Sequence, residues 1–169
     1  MIGEGTFNLD FFGVHQAEFS ILIHVALAML LGAIIGIERE SKDKPAGLRT
    51  HMLVAGAAAL LVLLGDVVIN HFRTEIGGQV VQSDPVRIIE AVITGVSFLG
   101  AGTIIRSRSG DHVEGLTTAA SLLAAAAIGI SVALYQIVLA IGITLIVLIT
   151  LHGLHVVEGI LTKRKNSVE

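Results

Sequence analysis

Three ionisable side chains, Asp66, Arg87 and Glu90, lie within stretches of the sequence that are otherwise almost entirely apolar. An ionisable group at the bilayer centre costs about 2.5–3.5 kcal/mol on insertion scales, so it is usually retained for a structural or functional purpose. Arg87 and Glu90 are three residues apart and share one helix face. With Asp66 they predict either a structural ion-pair network or a cation or proton site, in which Asp66 and Glu90 are candidate magnesium ligands. The outer ionisable cluster comprises His24, Asp66, Asp84, Arg87 and Glu90.

Charged residues and threonines also collect where one apolar stretch ends and the next begins. Thr50 and Thr118 stand at positions suited to capping a helix start, and Arg49 can form an ion pair with Glu38 or Glu40 across the turn between them. Two interpretations stay open: these residues stabilise the turn, or they form a polar site that a partner or an ion recognises. The inner polar cluster comprises Glu38, Arg39, Glu40, Arg49, Thr50, Thr117 and Thr118.

Other signals in the sequence are weaker. Asp84 precedes Pro85 and is expected to cap a helix start. His152, His155 and Glu158 follow one helical stripe, but His-x-x-His without a third ligand at fixed spacing is weak evidence for a metal site. The sequence has no nucleophile elbow, phosphate-binding glycine loop or metalloprotease motif, so we predict no catalytic residues and no enzyme. It also has no cysteine, which excludes disulfides and thiolate metal sites. We predict no cofactor, with magnesium at the carboxylates as the possible exception.

The elements that position these residues follow from composition. The chain has 169 residues, of which 53% are hydrophobic, and its mean hydropathy is +0.83, too apolar for an ordinary soluble domain. Its net charge of -3 gives no indication of a nucleic-acid partner. A bilayer core about 30 Å thick needs about 20 apolar residues per helix. Five stretches of this kind predict an all-α polytopic membrane protein in a lipid bilayer: 19–37, 50–70, 86–105, 116–134 and 136–155.

The distribution of lysine and arginine predicts the orientation of these helices, because cytoplasmic loops carry the excess of both residues. Nine of the eleven lie on one predicted side, and only Arg73 and Arg87 lie on the other. The N-terminus is therefore predicted to lie outside and the C-terminus in the cytoplasm. In this topology, residues 1–18 form an extracytoplasmic segment and residues 156–169 form a cytoplasmic tail.

The sequence resembles itself at an offset of 68 residues. Over the segment 31–59, twelve of the 29 positions are identical to the residue 68 positions later, where composition would give about three. This similarity predicts two parallel helical-pair repeats, 19–70 and 86–134, related by a pseudo-twofold axis along the membrane normal. The fifth helix, 136–155, stands outside the repeat.

Glycines recur within the predicted helices, where small residues let transmembrane helices approach closely. Gly32 and Gly36 form a GxxxG motif, and Gly95 shares the same spacing with an alanine. We expect helix packing at all three positions. Two alternatives stay open for Gly100 and Gly102: close packing, or local unwinding that exposes backbone carbonyl groups to the protein interior or to water.

Five segments occur in the order LGAIIGIERE, AGLRTHMLVAGAAAL, DPVRII, TGVSFLGAGTII and EGLTTAAS. They resemble the successive signatures of the MgtC/SapB family of bacterial inner-membrane proteins. The resemblance implies a role in adaptation to low magnesium, survival inside macrophages in pathogens and, in one branch, a regulatory contact with the F-type ATP synthase. Longer members continue into a soluble ACT-like domain, whereas this sequence ends about 14 residues after its last predicted span. Leu123 stands where the family pattern places a tryptophan.

Three functions are compatible with these features. The resemblance implies a non-enzymatic inner-membrane regulator that supports growth under magnesium limitation through contact with another membrane protein. The parallel repeat and the buried carboxylates predict, as the alternative, a small magnesium or proton pathway with a site at Asp66, Arg87 and Glu90. The third is a scaffold that acts by forming a homo-oligomer, which we expect in any of the three cases.

Overall fold

The structure is a computed structural model that describes residues 9–75, 85–106 and 113–165, with side chains over most of 16–71, 85–104 and 113–153. Asp84, the expected helix cap, lies outside the described residues, as do the side chains of His155 and Glu158.

Helices make up nearly all of the described chain. This is expected in lipid, because only a helix satisfies its backbone hydrogen bonds within one segment. A two-residue antiparallel ladder pairs β1 (Ile105–Arg106) with β2 (Val113–Glu114). The predicted all-α polytopic fold is confirmed. The helices are α1 (Leu9–Glu40), α2 (Leu48–Glu75), α3 (Pro85–Thr103), α4 (Leu116–Ala133) and α5 (Ile137–Lys165).

The predicted apolar stretches correspond to these helices, but several helices run beyond them. Within the described residues, α1 to α4 are each long and apolar enough to cross a bilayer, and α5 is apolar over Ile137–Gly153. Two helices differ most from the prediction: α1 already begins at Leu9, and α5 continues to Lys165 through most of the segment predicted as a tail. The extension of α5 is rich in Glu, Lys and Arg, which are good helix formers, so this helix can continue past its apolar stretch into polar surroundings.

The centre of the bundle is α4. It packs against each of the other four helices, and 56% of its apolar window is buried within the chain, against 11% for α3. Its sequence is rich in alanine, whose small side chain lets neighbouring helices approach on several sides. α3 is therefore a peripheral helix, and most of its surface faces the surroundings of the bundle.

Glycines mark the closest helix crossings. A Cβ atom added to Gly32 would lie 2.6 Å from the carbonyl oxygen of His51, and one added to Gly36 would lie 2.6 Å from the Cα of Leu48, so α1 and α2 meet backbone to backbone. A Cβ on Gly129 of α4 would overlap the carbonyl oxygen of Ala55 on α2. No larger residue fits these crossings without movement of a helix.

The pair α3 and α4 contains a contact that corresponds to the one at Gly32 between α1 and α2, but it is looser. A Cβ added to Gly100 of α3 would lie 3.3 Å from the Cβ of Ala119 on α4. Gly100 and Ala119 follow Gly32 and His51 by the same 68 residues, and α2 and α4 begin at positions that this offset superposes. The two pairs thus share a contact in matching register, while the duplication and its pseudo-twofold axis stay predictions.

Two of the five glycines considered for helix packing have no close neighbour in the described part of the chain. A Cβ added to Gly95 or Gly102 would meet no atom within 4 Å. Both lie on α3, which contacts its neighbours along a narrow strip and leaves the rest of its surface open. Gly102 also lies within the helical part of α3, so the chain does not unwind at this position.

Candidate functional site

The end of the bundle that carries the turn between α1 and α2, which we call the inner end, holds a buried ion-pair triad. Arg39 is only 3% exposed, and its Nε donates a hydrogen bond of 2.5 Å to Glu38. Lys42 Nζ lies 2.6 Å from the other carboxylate oxygen of Glu38, as an ion pair without hydrogen-bond geometry. The same ammonium donates to the carbonyl oxygen of Leu151 at 3.3 Å, so the triad ties α1 to α5.

Arg49 does not join this triad, contrary to the predicted ion pair with Glu38 or Glu40. Its side chain is exposed and forms no ion pair with any described residue. Lys42 takes the place beside Glu38 because it follows one helical turn later, at the spacing that places two side chains on one face. Glu40 instead accepts a hydrogen bond of 2.8 Å from the backbone N–H of Leu48 and so caps the start of α2.

The predicted threonine caps also need correction. Thr50 and Thr118 are each the third residue of a helix rather than the residue before it. The N-cap of α4 is Gly115, which has φ of 90° and provides no side-chain cap. A Cβ at this position would overlap the carbonyl oxygen of Thr103 at the end of α3. Glycine is thus required here both by its left-handed backbone and by this close approach.

Part of the inner polar cluster surrounds one cavity, which we call the inner cavity. It has a volume of about 660 Å³ and lies between the α1–α2 turn, the start of α4 and α5, with Arg39, Thr117 and Thr118 on its wall. Thr50 instead borders a groove between α2 and α3, and Arg49 borders neither. The remaining charged residues of the inner cavity are Lys42, Asp43, Lys44 and Glu114.

A buried histidine lies next to this cavity, and sequence reasoning missed it. His51 of α2 is fully buried, with its Nδ1 2.9 Å from the carbonyl oxygen of Gly47 and its Nε2 2.9 Å from Ser121 Oγ on α4. The Ser121 hydroxyl also lies 2.8 Å from the carbonyl oxygen of Thr118. His51 is an ionisable residue in an apolar span, the same signal that singled out His24, and that signal could have identified it.

The hydrogen atoms in this network can be counted. Because a carbonyl oxygen only accepts, Nδ1 of His51 carries the proton that it donates to Gly47. A neutral ring then accepts at Nε2 from Ser121, whose single hydroxyl proton also faces Thr118. Ser121 can serve only one of these two acceptors at a time. With a neutral ring the proton of Ser121 can go to Nε2, because the Thr118 carbonyl lies within α4 and also accepts the backbone hydrogen bond of that helix.

The outer ionisable cluster is dispersed. Asp66 borders a second cavity, of about 330 Å³, together with Pro85 and Tyr135. Arg87 and Glu90 are exposed and do not line it, and no ion pair joins them or Asp66 within the described residues. The predicted ion-pair network is therefore not formed, because the peripheral position of α3 leaves its charged face pointing away from α2.

His24 lies near the middle of α1 and has a local role. Its Nδ1 lies 2.7 Å from the carbonyl oxygen of Ser20, one turn earlier in the helix. Its ring also packs edge-on against Tyr135, with 4.7 Å between ring centroids. Tyr135 has φ of 60° in the turn between α4 and α5. His24 therefore joins α1 to that turn.

The described residues contain no group of three His, Cys, Asp or Glu side chains that could hold a metal ion. Asp66 and Glu90 are separate single carboxylates in this arrangement. Magnesium sites with one or two carboxylates also use substrate phosphates and retained waters, so Asp66 and Glu90 as magnesium ligands stay predictions.

A family model described as "MgtC family" matches residues 25–160, which include most of the apolar span of α1, the apolar spans of α2, α3 and α4, and the described apolar stretch of α5. The chain belongs to the MgtC family. The inner cavity, the buried His51 and the glycine crossings all lie within the matched region of this MgtC family member.

Named relatives agree with this assignment. The chain is 39% identical to Protein MgtC of Salmonella typhimurium over 130 residues, which is 77% of this chain and 50% of that protein. It is 38% identical to Protein SapB of Bacillus subtilis over 66% of this chain and 46% of that protein. An uncharacterised protein of Haemophilus influenzae is 38% identical over 74% of this chain and 48% of that protein. The chain thus spans about half the length of these relatives, and no solved structure matches it significantly.

Proposed function

We propose that this MgtC family member is a non-enzymatic protein of the bacterial inner membrane that supports growth when magnesium is scarce, by contact with another membrane protein. The role in magnesium limitation comes from the family resemblance. The contact is suggested by one feature of the bundle, the open groove between α2 and α3.

The groove has a volume of about 660 Å³ and is almost entirely apolar. Small residues from both helices form much of its floor, so a helix could approach the backbone closely along it. In lipid such close approach is what drives helix association, because the hydrophobic effect gives no advantage there. The small residues are Ala57, Ala58, Gly65, Ala91 and Gly95. We propose that a transmembrane helix of the partner protein occupies this groove.

The groove can be tested by filling it. Gly95→Leu adds a side chain where nothing lies within 4 Å of the new Cβ, so the bundle itself has room for it. We expect cells that carry this variant in place of the wild-type gene to grow in limiting magnesium as poorly as cells without the gene. The amount of protein in the membrane and its Tm in detergent should stay near wild type.

Gly142→Leu is the matched control, because Gly142 on α5 is also a helical glycine with open space around its Cβ and does not line the groove. This variant should support normal growth. Equal growth of the two variants in limiting magnesium would contradict the groove as the contact surface.

The alternative function, a cation or proton pathway, is supported by Asp66, which borders the smaller cavity near Pro85 and Tyr135. Its other proposed members, Arg87 and Glu90, lie on the exposed face of α3 and away from this cavity. We therefore favour the contact function.

A further inference from the structure

The inner cavity joins three kinds of group that bind oxyanions: an uncapped helix start, a buried guanidinium group and a lysine with a free ammonium. It is independent of the groove on which the proposed function rests. Each of these groups has spare hydrogen-bonding capacity in the described part of the chain.

The first group is the start of α4. The first N–H groups of a helix have no partner within the helix. Here the N-cap is Gly115, which offers no side-chain acceptor, and residues 115–118 line the cavity. A helix start carries a partial positive charge and presents N–H donors, which together favour phosphate or carboxylate oxygens.

The second group is a pair of buried polar side chains on the cavity wall. Arg39 is 3% exposed and uses Nε for Glu38, while its two terminal amino groups have no partner among the described residues. Thr118 is 1% exposed, and its hydroxyl likewise has no partner among them. These donors are on the cavity wall, where they stay available to a group that enters the cavity. The planar fork of an arginine matches two oxygens of one phosphate.

The third group is the charge at the mouth of the cavity. Lys44 is exposed there and forms no ion pair within the described residues, whereas Lys42 is already bound to Glu38. Two acids, Asp43 and Glu114, also line the cavity and are exposed. The five charged lining residues carry one net positive charge, and Glu38, which is paired with Arg39 and Lys42, offsets it. The unpaired ammonium of Lys44 and the partial charge of the helix start therefore supply the attraction for an anion.

We propose that the inner cavity binds a phosphate group through the start of α4, Arg39, Thr118 and Lys44. The phosphate has two possible sources. One is the headgroup of an anionic phospholipid, since the cavity lies at the end of the bundle where headgroups of the cytoplasmic leaflet are expected. The other is a free phosphate in solution.

The test measures Tm of the purified full chain. In neutral detergent, sodium phosphate is compared with sodium chloride at equal ionic strength. In nanodiscs, phosphatidylglycerol is compared with phosphatidylcholine. A ligand that binds only the folded state raises Tm by several degrees at saturation. A rise with phosphate in detergent identifies a soluble ligand, and a rise with phosphatidylglycerol alone identifies a lipid headgroup. No rise in either comparison overturns the proposal.

Variants of the lining residues test whether the rise in Tm comes from binding in the inner cavity. Lys44→Gln and Arg39→Lys should reduce the apparent affinity for the effective phosphate about tenfold, the first by loss of a charge and the second by loss of the two-pronged contact. Thr118→Val keeps the shape of the side chain and should weaken binding less. Lys44 is exposed, so this variant folds even if the buried ones do not.

Arg49→Gln is the control, because Arg49 is an exposed cation at the same end of the bundle that does not line the cavity. This variant should bind phosphate like the wild type. An equal loss of affinity in Arg49→Gln and Lys44→Gln would mean that phosphate is attracted only by the overall positive charge at this end of the bundle. That result would overturn the proposal.

Discussion

His51 is a fully buried imidazole that bridges α2 and α4. Both ring nitrogens have hydrogen-bond partners, the carbonyl oxygen of Gly47 and the hydroxyl of Ser121. Its neighbour Thr118 lines the inner cavity, so the hydrogen bonds of His51 are connected to the wall of that cavity. A substitution at His51 is therefore expected to alter both the packing of α4 and the shape of the inner cavity.

The contribution of this bridge can be measured with Ser121→Ala. The substitution removes the hydroxyl that bonds to Nε2 of His51 and leaves a buried nitrogen without a partner. Hydrogen bonds between transmembrane helices contribute about 0.6–1.7 kcal/mol, so we expect the free energy of unfolding to fall by about 1 kcal/mol. Reversible unfolding in mixed micelles would measure this loss.

Ser131→Ala on the same helix serves as the comparison. Its hydroxyl is also buried but donates only to the carbonyl oxygen of Ala127, one turn earlier in α4. Its removal should change the free energy of unfolding by no more than a few tenths of a kcal/mol. Equal effects of the two substitutions would show that the bridge to His51 adds nothing to stability.

At the scale of single residues, the sequence predicted which regions are polar better than which side chains meet. The inner polar cluster does lie at one end of the bundle, but Glu38 pairs with Lys42 along the chain rather than with Arg49 across the turn. The cluster around Asp66 fails for a different reason. Whether Arg87 and Glu90 face Asp66 depends on how α3 is rotated against α2, and a helical repeat within α3 carries no information about that.

At the scale of whole helices, the closest crossing is between α2 and α4 at Gly129. Gly129→Ala would force its new methyl group into the carbonyl oxygen of Ala55 and separate the two helices. Overpacking of this kind costs about 1–3 kcal/mol. We expect a loss of this size in the free energy of unfolding, measured in the same micelles.

Gly142→Ala on α5 should have the opposite effect. Nothing lies within 4 Å of a Cβ at Gly142, and replacing a helical glycine by alanine gains about 1 kcal/mol of helix propensity. A loss of stability at Gly142 equal to that at Gly129 would mean that the crossing is not what makes Gly129 necessary.

The helices themselves were predictable because an apolar stretch of about 20 residues has few other structures available in lipid. Their ends were not, because polar residues at a helix end can be helical or not with little difference in free energy. Gly95 and Gly102 show a second limit. Spacing indicates that a glycine can permit close packing, but the neighbour that uses it has to be supplied by the tertiary structure or by another protein.

At the scale of the whole molecule, the predicted orientation can be tested directly, because the chain has no cysteine. Lys44→Cys lies in the turn between α1 and α2, and Gln136→Cys lies in the turn between α4 and α5, at opposite ends of the bundle. With the N-terminus outside, a membrane-impermeant maleimide should label Gln136→Cys in intact spheroplasts. It should label Lys44→Cys only after the membrane is permeabilised.

The unmodified chain reports background labelling in this experiment. Labelling of Lys44→Cys in intact spheroplasts, with Gln136→Cys protected, would reverse the orientation. It would also place the inner cavity at the outer leaflet, away from the headgroups that we propose as one source of its phosphate.

The bridge between His51 and Ser121 has a consequence for how the protein is made, since its two ends are 70 residues apart in the chain. At a synthesis rate of about 5–20 residues per second, Ser121 leaves the ribosome about 4–14 s after His51. During that interval α1 and α2 can already meet at their glycines, but the imidazole lacks the partner that α4 brings. A nascent chain stopped before α4 would therefore present a polar ring to lipid, a feature by which the membrane's quality-control proteases could distinguish an unfinished bundle from a complete one.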